Sequence, residues 1–577
     1  MRFISLIAAI ALAACSQQEQ SMTVDAGMET AQPAADSIFF GGPIYTADEI
    51  PDLTMEESVN ADDTVDMVAV RDGIIVFAGY IDEAPEYLFG EQTEMIDLDG
   101  AAMYPGFTDA HVHVMGLGSR ERLLNLEGTD SIEDLQARVA EAAADLPDGS
   151  VLQGRGWIET HWPEGRFPNR QDLDAVAPDV AVFLTRADGH ALVANSLALE
   201  RAGINAGSVA PEGGDILRDD DGEPTGMLID AAMGPVRALA GGFTGQDRAD
   251  VYLEGAWSAA RYGWTGAHDM SVPWADVAMI ESLSEELPIR VYISANPDGL
   301  APLVADGPVF SDNRRVIARA VKMYMDGALG SRGAALLEPY SDDPANSGLV
   351  LSREDETLSA MVLALENGIQ LNIHAIGDRG NRMLLDWIEE AQNATPAGED
   401  AAANGRWRDE HTQIVDPADI PRFAELGVIP SMQPSHAIGD LFFAPDRLGP
   451  DRLDGAYAWR ALIDSGVVIA GGSDAPVERG DPRIEFYAAV ARRGLDGTQT
   501  EDWRPDQAVT RAEALRMFTA WPAYASFRED EVGRIVEGLR ADFTVFSDDI
   551  MTIPEEDILT VEPVMTVLDG EIVWRAE

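Results

Sequence analysis

Two histidines one residue apart, His111 and His113, give the first sign of chemistry in this sequence. Residues i and i+2 of a β-strand point to the same face, so both imidazoles can reach one metal ion. The His-x-His pattern also arises by chance, and alone it is weak evidence. Its weight increases because His374, His411 and Asp474 end later strand-like segments. The pattern predicts a metal centre at one end of a group of strands.

Lysine use is the second sign. Lys322 is the only lysine among the 40 Lys and Arg residues, and it lies in the apolar run Val321-Lys322-Met323-Tyr324. Arginine is the better residue for a structural ion pair, whereas lysine can lose its charge when it is buried. A neutral lysine can react with carbon dioxide and become a carbamate that bridges two cations. The alternative is a buried lysine paired with Asp326 or Asp269.

The candidate ligands belong to apolar strand-like segments that alternate with helical ones, which is typical of an α/β protein. Most of these segments end in polar residues, as expected of a (β/α)8 barrel with its chemistry at the carboxyl ends of the strands. We expect the barrel over residues 106–529, with an insertion at about 150–235 folded over its mouth. The predicted strands are 103–113, 264–270, 289–294, 318–326, 370–378, 408–413, 428–436 and 467–474.

Short strand-like runs also occur near both ends of the chain. Ile38-Phe39-Phe40 and Met67-Val68-Ala69-Val70 are examples at one end, and Phe543-Thr544-Val545-Phe546 is an example at the other. Turn residues separate these runs. The pattern predicts a small β-sandwich domain built from residues 37–105 and 530–577.

The first residues are typical of an export signal. A short apolar stretch follows Met1 and Arg2, and it is too short to span a bilayer. It ends in Leu12-Ala13-Ala14-Cys15, which resembles the bacterial lipoprotein box, and Cys15 is the only cysteine. We expect a lipoprotein signal over 1–15, a flexible tether over 16–36 and a lipid anchor at the periplasmic side of the envelope or the cell surface. The alternative is an ordinary signal peptide cut near Ala14.

The composition excludes several classes of function. The formal net charge of −61 repels phosphate backbones, which excludes nucleic-acid binding through a basic surface. A chain with one cysteine has no internal disulfide, cysteine-rich zinc finger or iron–sulfur cluster. No Gly-rich loop precedes Lys322, and no serine lies in a G-x-S-x-G motif, so neither a P-loop nor that class of serine hydrolase is supported.

Together the motifs resemble the amidohydrolase superfamily, and within it the amidohydrolase-3 branch of metal-dependent hydrolases. The resemblance covers nearly the whole mature chain, and the motifs stand in the family's order. They are Pro105-Gly106-Phe107-Thr108-Asp109-Ala110-His111-Val112-His113, Lys322-Met323-Tyr324-Met325-Asp326-Gly327-Ala328-Leu329-Gly330-Ser331-Arg332, His374-Ala375-Ile376-Gly377-Asp378, Glu410-His411 and Gly472-Ser473-Asp474-Ala475-Pro476.

The resemblance implies a distorted (β/α)8 barrel with one or two divalent cations, commonly zinc. The implied ligands form three groups: His111, His113 and Asp474 for the first ion, His374 and His411 for the second, and carboxylated Lys322 as the bridge. A hydroxide bridging the metals would attack the substrate carbonyl, and Asp474 would pass a proton to the leaving atom. The expected activity is hydrolysis of carbon–nitrogen bonds other than peptide bonds, in an amide, N-acyl or cyclic-amide substrate.

Two alternatives to this activity remain open. An ester or lactone is the nearest, because the same hydroxide attacks either carbonyl. A binding or regulatory lipoprotein that keeps the fold without turnover is the other. The expected partner is a small-molecule substrate, with the membrane reached only through the lipid anchor. A homodimer is one expected assembly, since dimers are common in similar enzymes. The metal is also open, because imidazole and carboxylate ligands accept zinc, manganese or iron.

Two further histidines are candidate catalytic residues. His190, in the insertion, resembles a family segment near the substrate, and His436 follows the seventh predicted strand and should face the barrel mouth. The alternative for His436 is a neutral packing role. His268 and His161 are not expected to act in the site. Three aromatic residues of the insertion either line the substrate site or pack the insertion's own core: Trp157, Trp162 and Phe167.

Overall fold

The computed structural model describes residues 33–47, 64–159, 162–187, 189, 191–211, 214–395, 404–499 and 503–577. The predicted signal segment, Cys15 and most of the predicted tether lie outside the described residues, as do His161 and His190. Among the helices that the described ranges contain, none is long and apolar enough to cross a membrane.

A nearly closed barrel of eight parallel strands forms the centre of the molecule, which confirms the α/β class and the predicted barrel. A short antiparallel strand, β15 (Val309–Phe310), pairs with the fourth of them. In order around the barrel the strands are β6 (Phe107–Val112), β13 (Trp264–Val272), β14 (Arg290–Ala295), β16 (Val316–Tyr324), β17 (Gln370–Ala375), β18 (Arg408–His411), β19 (Ile429–Met432) and β20 (Ala470–Gly471).

The barrel closes where β20 meets β6. The backbone N–H of Asp474 donates to the carbonyl of His111 at 2.6 Å, and that of His113 donates to the carbonyl of Ala475 at 2.9 Å. A side chain at Gly472 would not fit, because its Cβ would lie 2.4 Å from the backbone nitrogen of His111. Glycine therefore lets the two ends of the barrel sheet approach each other.

Helices cover the outside of the barrel, and local sequence fixes several of their ends. For example, the Thr510 and Glu513 side chains form a reciprocal capping box at the start of one helix. The helices whose bounds lie within the described residues are α1 (Val114–Glu121), α2 (Ile132–Ala143), α3 (Arg170–Asp174), α4 (Ser196–Arg201), α5 (Gly234–Arg237), α6 (Gly245–Tyr262), α7 (Trp274–Ser282), α8 (Leu300–Asp306), α9 (Glu354–Asn367), α10 (Asp378–Ala394), α11 (Ile420–Leu426), α12 (Pro434–Asp440), α13 (Ala444–Leu448), α14 (Trp459–Asp464), α15 (Pro482–Ala491), α16 (Arg511–Met517) and α17 (Ala520–Ala525).

The insertion after β6 forms a sheet of its own. Its six strands are β7 (Leu124–Asn125), β8 (Val151–Trp157), β9 (Ala181–Arg186), β10 (Ala191–Ala194), β11 (Gly214–Arg218) and β12 (Pro224–Asp230). Strand β7 lies before the predicted start of the insertion at about residue 150. Helix α2 also lies before it, and it packs Leu135 and Val139 into the core of the same sheet. Trp157 and Trp162 are buried in that core, so packing is the correct interpretation for both, whereas Phe167 is 40% exposed.

A second sheet joins strands from both ends of the chain. Its strands are β1 (Ser37–Tyr45), β2 (Thr64–Arg71), β3 (Ile74–Gly79), β4 (Glu94–Asp97), β5 (Ala102–Pro105), β21 (Phe543–Phe546), β22 (Pro563–Leu568) and β23 (Glu571–Arg575). The two chain ends pair directly where β21 runs antiparallel to β5. The predicted first barrel strand, 103–113, was wrong in extent, because the chain leaves this sheet at Gly106 before β6 begins. The two-layered sandwich form stays a prediction.

A buried ion pair joins the barrel to this terminal sheet. Arg290, at the start of β14, is only 3% exposed. Its Nε and Nη2 donate to the two carboxylate oxygens of Asp542 at 2.6 and 2.8 Å, and Nη2 also contacts Asp569. Such a bidentate pair fixes both distance and orientation. It therefore holds the amino end of the barrel against the strands from the chain ends.

Replacing Arg290 by methionine leaves the buried carboxylate of Asp542 without its cation. We expect Arg290→Met to lower the free energy of unfolding by about 3–5 kcal/mol, the usual cost of breaking a buried pair. Urea unfolding followed by tryptophan fluorescence measures the change. Arg353→Met is the control, because Arg353 is 71% exposed in its ion pair. Equal stability of the two variants would contradict the prediction.

Candidate metal centre and active site

The carboxyl ends of the barrel strands bring the predicted ligands together. The ring centroid of His411, at the end of β18, lies 4.7 Å from that of His111 and 4.6 Å from that of His374. One ligand atom each from His111, His411 and Asp474 lies within 4.8 Å of the other two, and all three residues are buried. Side chains at this spacing could bind the same metal ion.

His113 is the partly exposed member of this cluster, and it lies against the buried Asp474. The Nε2 atom of His113 lies 3.2 Å from Oδ1 of Asp474, and Nδ1 lies 3.0 Å from the carbonyl of Met270. The carbonyl can only accept, so Nδ1 carries a hydrogen. Nε2 donates to Asp474 when the ring is protonated and has a free lone pair when the ring is neutral. Burial lowers the pKa of His113, but the hydrogen bond and charge of Asp474 outweigh burial and raise it.

Lys322 lies beside His111 and is 1% exposed. Its Nζ atom is 3.4 Å from Nε2 of His111. Within the described part of the chain it forms no ion pair with Asp326 or Asp269, so the alternative interpretation of this lysine is wrong. Asp326 instead accepts three backbone N–H groups, and Asp269 accepts the Tyr252 hydroxyl at 2.8 Å. Burial lowers the pKa of Lys322 to about 8.

Two of the candidate ligands are held as neutral imidazoles. Burial and the nearby charge of Lys322 lower the pKa of His111 to about 4 and that of His374 to about 3. The Nε2 atom of His374 is 3.6 Å from Oδ1 of Asp326. Because only the deprotonated imidazole binds a metal, both side chains are ready to act as ligands near neutral pH.

The tautomer of His411 is set by Gln433. The amide nitrogen of Gln433 donates to the Ser431 carbonyl at 3.2 Å, so its Oε1 is left to accept from Nδ1 of His411 at 2.8 Å. With the hydrogen on Nδ1, the lone pair of Nε2 is available to an ion. His411 also adopts a left-handed backbone conformation, with φ of +81°.

A buried network of charged side chains orients the ring of His111 through its Nδ1 atom. Oε2 of Glu410 lies 2.5 Å from Nδ1 of His111, and Oε1 lies 2.8 Å from Nε of Arg408. Burial alone would raise the pKa of Glu410, but Arg408 and His111 hold it well below its usual range. Nη1 of Arg408 also lies 2.8 Å from Nδ1 of His268, so His268 belongs to this network and not to the ligand cluster.

His436 lies at the edge of the cluster. Its ring centroid is 5.9 Å from that of His411, and its Nε2 is 3.6 Å from Oδ2 of Asp474. This nitrogen is buried and has no hydrogen-bond partner among the residues that the structure describes. It is therefore placed to bond a bound molecule. His190, the other predicted catalytic histidine, lies outside the described residues.

Some residues around the cluster were not predicted. Glu410 stands beside His411 in a recognised motif, but its contact with His111 spans 299 residues and has no local signal. Asp109 accepts the N–H and hydroxyl of Ser473 at 2.9 and 2.5 Å, and burial raises its pKa to about 7. Tyr324, two residues after the single lysine, lies at the barrel mouth with its ring centroid 5.6 Å from that of His374.

Comparison with known proteins agrees with this geometry. Residues 94–574 match the sequence model of the amidohydrolase family. The chain belongs to this family. YtcJ of Bacillus subtilis (strain 168) is 33% identical over 559 residues, which cover 93% of this amidohydrolase and 99% of YtcJ. The N-substituted formamide deformylase of Arthrobacter pascens is 28% identical over 510 residues, covering 83% of this chain and 89% of that enzyme.

A solved structure has the same fold. It is described as an uncharacterized metal-dependent hydrolase from Pyrococcus horikoshii OT3, and the TM-score is 0.72 at 26% identity. The match covers 90% of this amidohydrolase and 99% of that chain. The family is metal-dependent, and a buried cluster of neutral imidazoles with one carboxylate is a suitable donor set for a divalent cation.

Glu410→Gln removes the negative charge that orients His111 and keeps the shape of the side chain. We expect metal affinity to fall about 10–100-fold, as for other partners of ligating histidines. Competition with a chromophoric zinc chelator measures the affinity of the apoprotein. The exposed Glu537→Gln variant should bind zinc as the unaltered protein does. Unchanged zinc affinity in Glu410→Gln would show that the contact with Glu410 does not orient His111 for metal binding.

Proposed function

We propose that this amidohydrolase hydrolyses carbon–nitrogen bonds other than peptide bonds, in an amide, N-acyl or cyclic-amide substrate. The observation that carries the proposal is the convergence of His111, His411 and Asp474 ligand atoms within 4.8 Å, beside the buried Lys322. The similarity to an N-substituted formamide deformylase supports the choice of a carbon–nitrogen bond.

The ligand cluster would hold one or two divalent cations, with zinc as the first choice for imidazole and carboxylate donors. His111, His113 and Asp474 would hold one cation, and His374 and His411 the other. When bound, the cations lower the pKa of water and polarise a carbonyl group. Around them, the side chains that contact the ligands decide which nitrogen of each imidazole carries the hydrogen.

Lys322 would bridge the two sites as a carbamate. Burial favours the neutral amine, and only the neutral amine reacts with carbon dioxide. The lone pair of Nζ forms a bond to the carbon of carbon dioxide while one carbon–oxygen π bond opens onto its oxygen, and Nζ then releases one proton to water. The product carries a negative charge over two oxygens. Those oxygens would supply the anionic ligand that a group of neutral histidines lacks.

Asp474 is the proposed proton carrier. Burial raises its pKa, but the neighbouring His111, His113 and His411 lower it well below its usual range, so it begins as a carboxylate. It can then take a proton from the attacking water and deliver it to the leaving nitrogen. This delivery matters because an unprotonated amide nitrogen is a poor leaving group. His436 would bond the substrate through its unpartnered Nε2.

Lys322→Arg keeps a positive charge but cannot form the carbamate. We expect loss of activity and a fall from about two metal ions per chain, as in two-metal sites, to about one or none. Elemental mass spectrometry gives the metal content, and 13C-bicarbonate labelling with NMR detects the carbamate carbon in the unaltered protein only. Arg353→Lys is the surface control. A fully active, fully loaded Lys322→Arg variant would contradict the carbamate.

A panel of matched amides and esters tests the bond that is cleaved. Each pair shares one acyl group, and the protein is first loaded with zinc in bicarbonate buffer. We expect larger kcat/KM values for amides, relative to their uncatalysed hydrolysis, than for the matched esters. Activity on esters or lactones alone would overturn the assignment to carbon–nitrogen bonds. No turnover of any pair by fully loaded protein would favour the binding or regulatory alternative.

We also propose that the chain is an exported lipoprotein which touches the membrane only through Cys15. The support is the lipobox-like motif around the single cysteine. Cys15→Ser should abolish labelling with radioactive palmitate and release the protein from the membrane fraction. Ser21→Ala, in the predicted tether, should change neither. Continued labelling of Cys15→Ser would contradict the anchor.

A further inference from the structure

A cavity of about 290 Å³ opens next to α12, the helix that carries His436. Its walls come from α12, the loop that follows α12, the turn after Asp474, the start of α15 and the loop after α15. The cavity has four apolar side chains: Ile438, Phe442, Ile484 and Leu495. Its size suits one substituent of a small molecule and not a whole drug-sized ligand.

Two residues that line the cavity lie close to residues of the candidate site. Ser435 lines the cavity, and His436 follows it on α12. Glu478 lines the cavity and lies four residues after Asp474, close enough for the charges of His436 and Asp474 to act on its carboxyl group. The cavity therefore lies next to the part of the candidate site that contains His436 and Asp474.

Two of the apolar lining side chains are open to solvent. Phe442 is 66% exposed and Leu495 is 45% exposed. Val477, in the same turn as Glu478, is 55% exposed. Large apolar side chains grouped at a concave surface mark a place where another apolar group binds.

The charges of the cavity disfavour an anion. Glu478 and Asp496 contribute carboxyl groups, and Asp440 lies close to Glu478. Arg479 is the one cationic residue among the described residues that line the cavity, and its Nε lies 3.5 Å from a carboxylate oxygen of Glu127 in the insertion. A carboxylate on the substrate would lose its hydration here and gain no cation in return.

We propose that this cavity binds an uncharged apolar substituent of the substrate, such as an aryl or branched alkyl group on the amide, and rejects a carboxylate at that position. The inference rests on the proposed function and adds the substrate class to it. Phe442 and Leu495 supply the contact area, and the lack of an available cation among the described lining residues supplies the discrimination against anions.

Gly439 offers a direct way to fill the cavity. It lies on α12, and the only atom near an added Cβ is Oε1 of Glu478, at 3.5 Å. Leucine is a better helix former than glycine, so Gly439→Leu should fold. Gly242→Leu is the matched control, because an added Cβ there meets nothing within 4 Å and the residue lies outside the cavity.

The kinetic test uses three formamides that differ only in the nitrogen substituent. For zinc-loaded protein we expect kcat/KM to be highest for N-benzylformamide, lower for N-methylformamide and lowest for N-formylglycine. Gly439→Leu should reduce the preference for benzyl over methyl by about tenfold or more, the scale of steric discrimination in apolar pockets. Gly242→Leu should keep the preference. Phe442→Ala, at an exposed position, should weaken it as well.

A binding test separates this inference from the proposed function. Fluorine NMR follows 4-fluorobenzyl alcohol and 4-fluorobenzoate, neither of which is hydrolysed. We expect the alcohol to bind the unaltered protein and Gly242→Leu but not Gly439→Leu, and the benzoate to bind none of them. Equal binding of both probes, or binding that Gly439→Leu leaves intact, would overturn the inference. Absence of formamide turnover alongside the expected probe binding would count against the proposed function alone.

Discussion

Closure of the barrel between β6 and β20 is the constraint on which the candidate site depends. Ser473 donates to Asp109 across 364 residues of sequence, and Asp474 and His111 share a backbone hydrogen bond of 2.6 Å. These contacts bring the first and last candidate ligands of the chain to one point. If the contacts between β6 and β20 were lost, His111 and Asp474 would separate even with each strand intact. The site is thus a property of the closed barrel and not of any one motif.

Burying so many ionisable groups costs free energy unless each group is neutral or has a hydrogen-bonding or charged partner. The structure meets part of this need by keeping His111 and His374 neutral and by giving the buried carboxylate of Asp326 three backbone N–H donors. Arg408 is fully buried, and it places its positive charge against Glu410 and not against the ligands. The net result is a pocket of neutral nitrogens around one carboxylate, which is an environment that favours a cation.

Sequence alone predicted the parts of the fold that have local signals. The barrel strands are apolar runs that end in polar residues, and the ligand residues are marked by rare types, such as the single lysine at 322. It did not predict that β5 and β6 belong to different sheets, because the apolar pattern runs on through Gly106.

Contacts between segments that are far apart in the sequence could not be predicted from it either. Neither the pairing of Glu410 with His111 nor that of Gln433 with His411 changes any local pattern, so only the folded barrel reveals them. Nor does any local signal show that residues before 150 pack with the sheet of the insertion. Helix α2 has the period of any surface helix, and nothing in its own residues tells which core it joins.

Helix α1 connects the ligand cluster to the apolar cavity. It begins directly after His113, and near its end Arg120 donates to the backbone carbonyls of Glu478 and Arg479 at 3.0 and 2.8 Å. Its place is fixed, because a Cβ at Gly118 would lie 1.7 Å from the backbone oxygen of Val251 on α6. A shift of α1 would therefore move a candidate ligand and the wall of the cavity together. The spacing between His113 and this wall of the cavity is in this way built into one short helix.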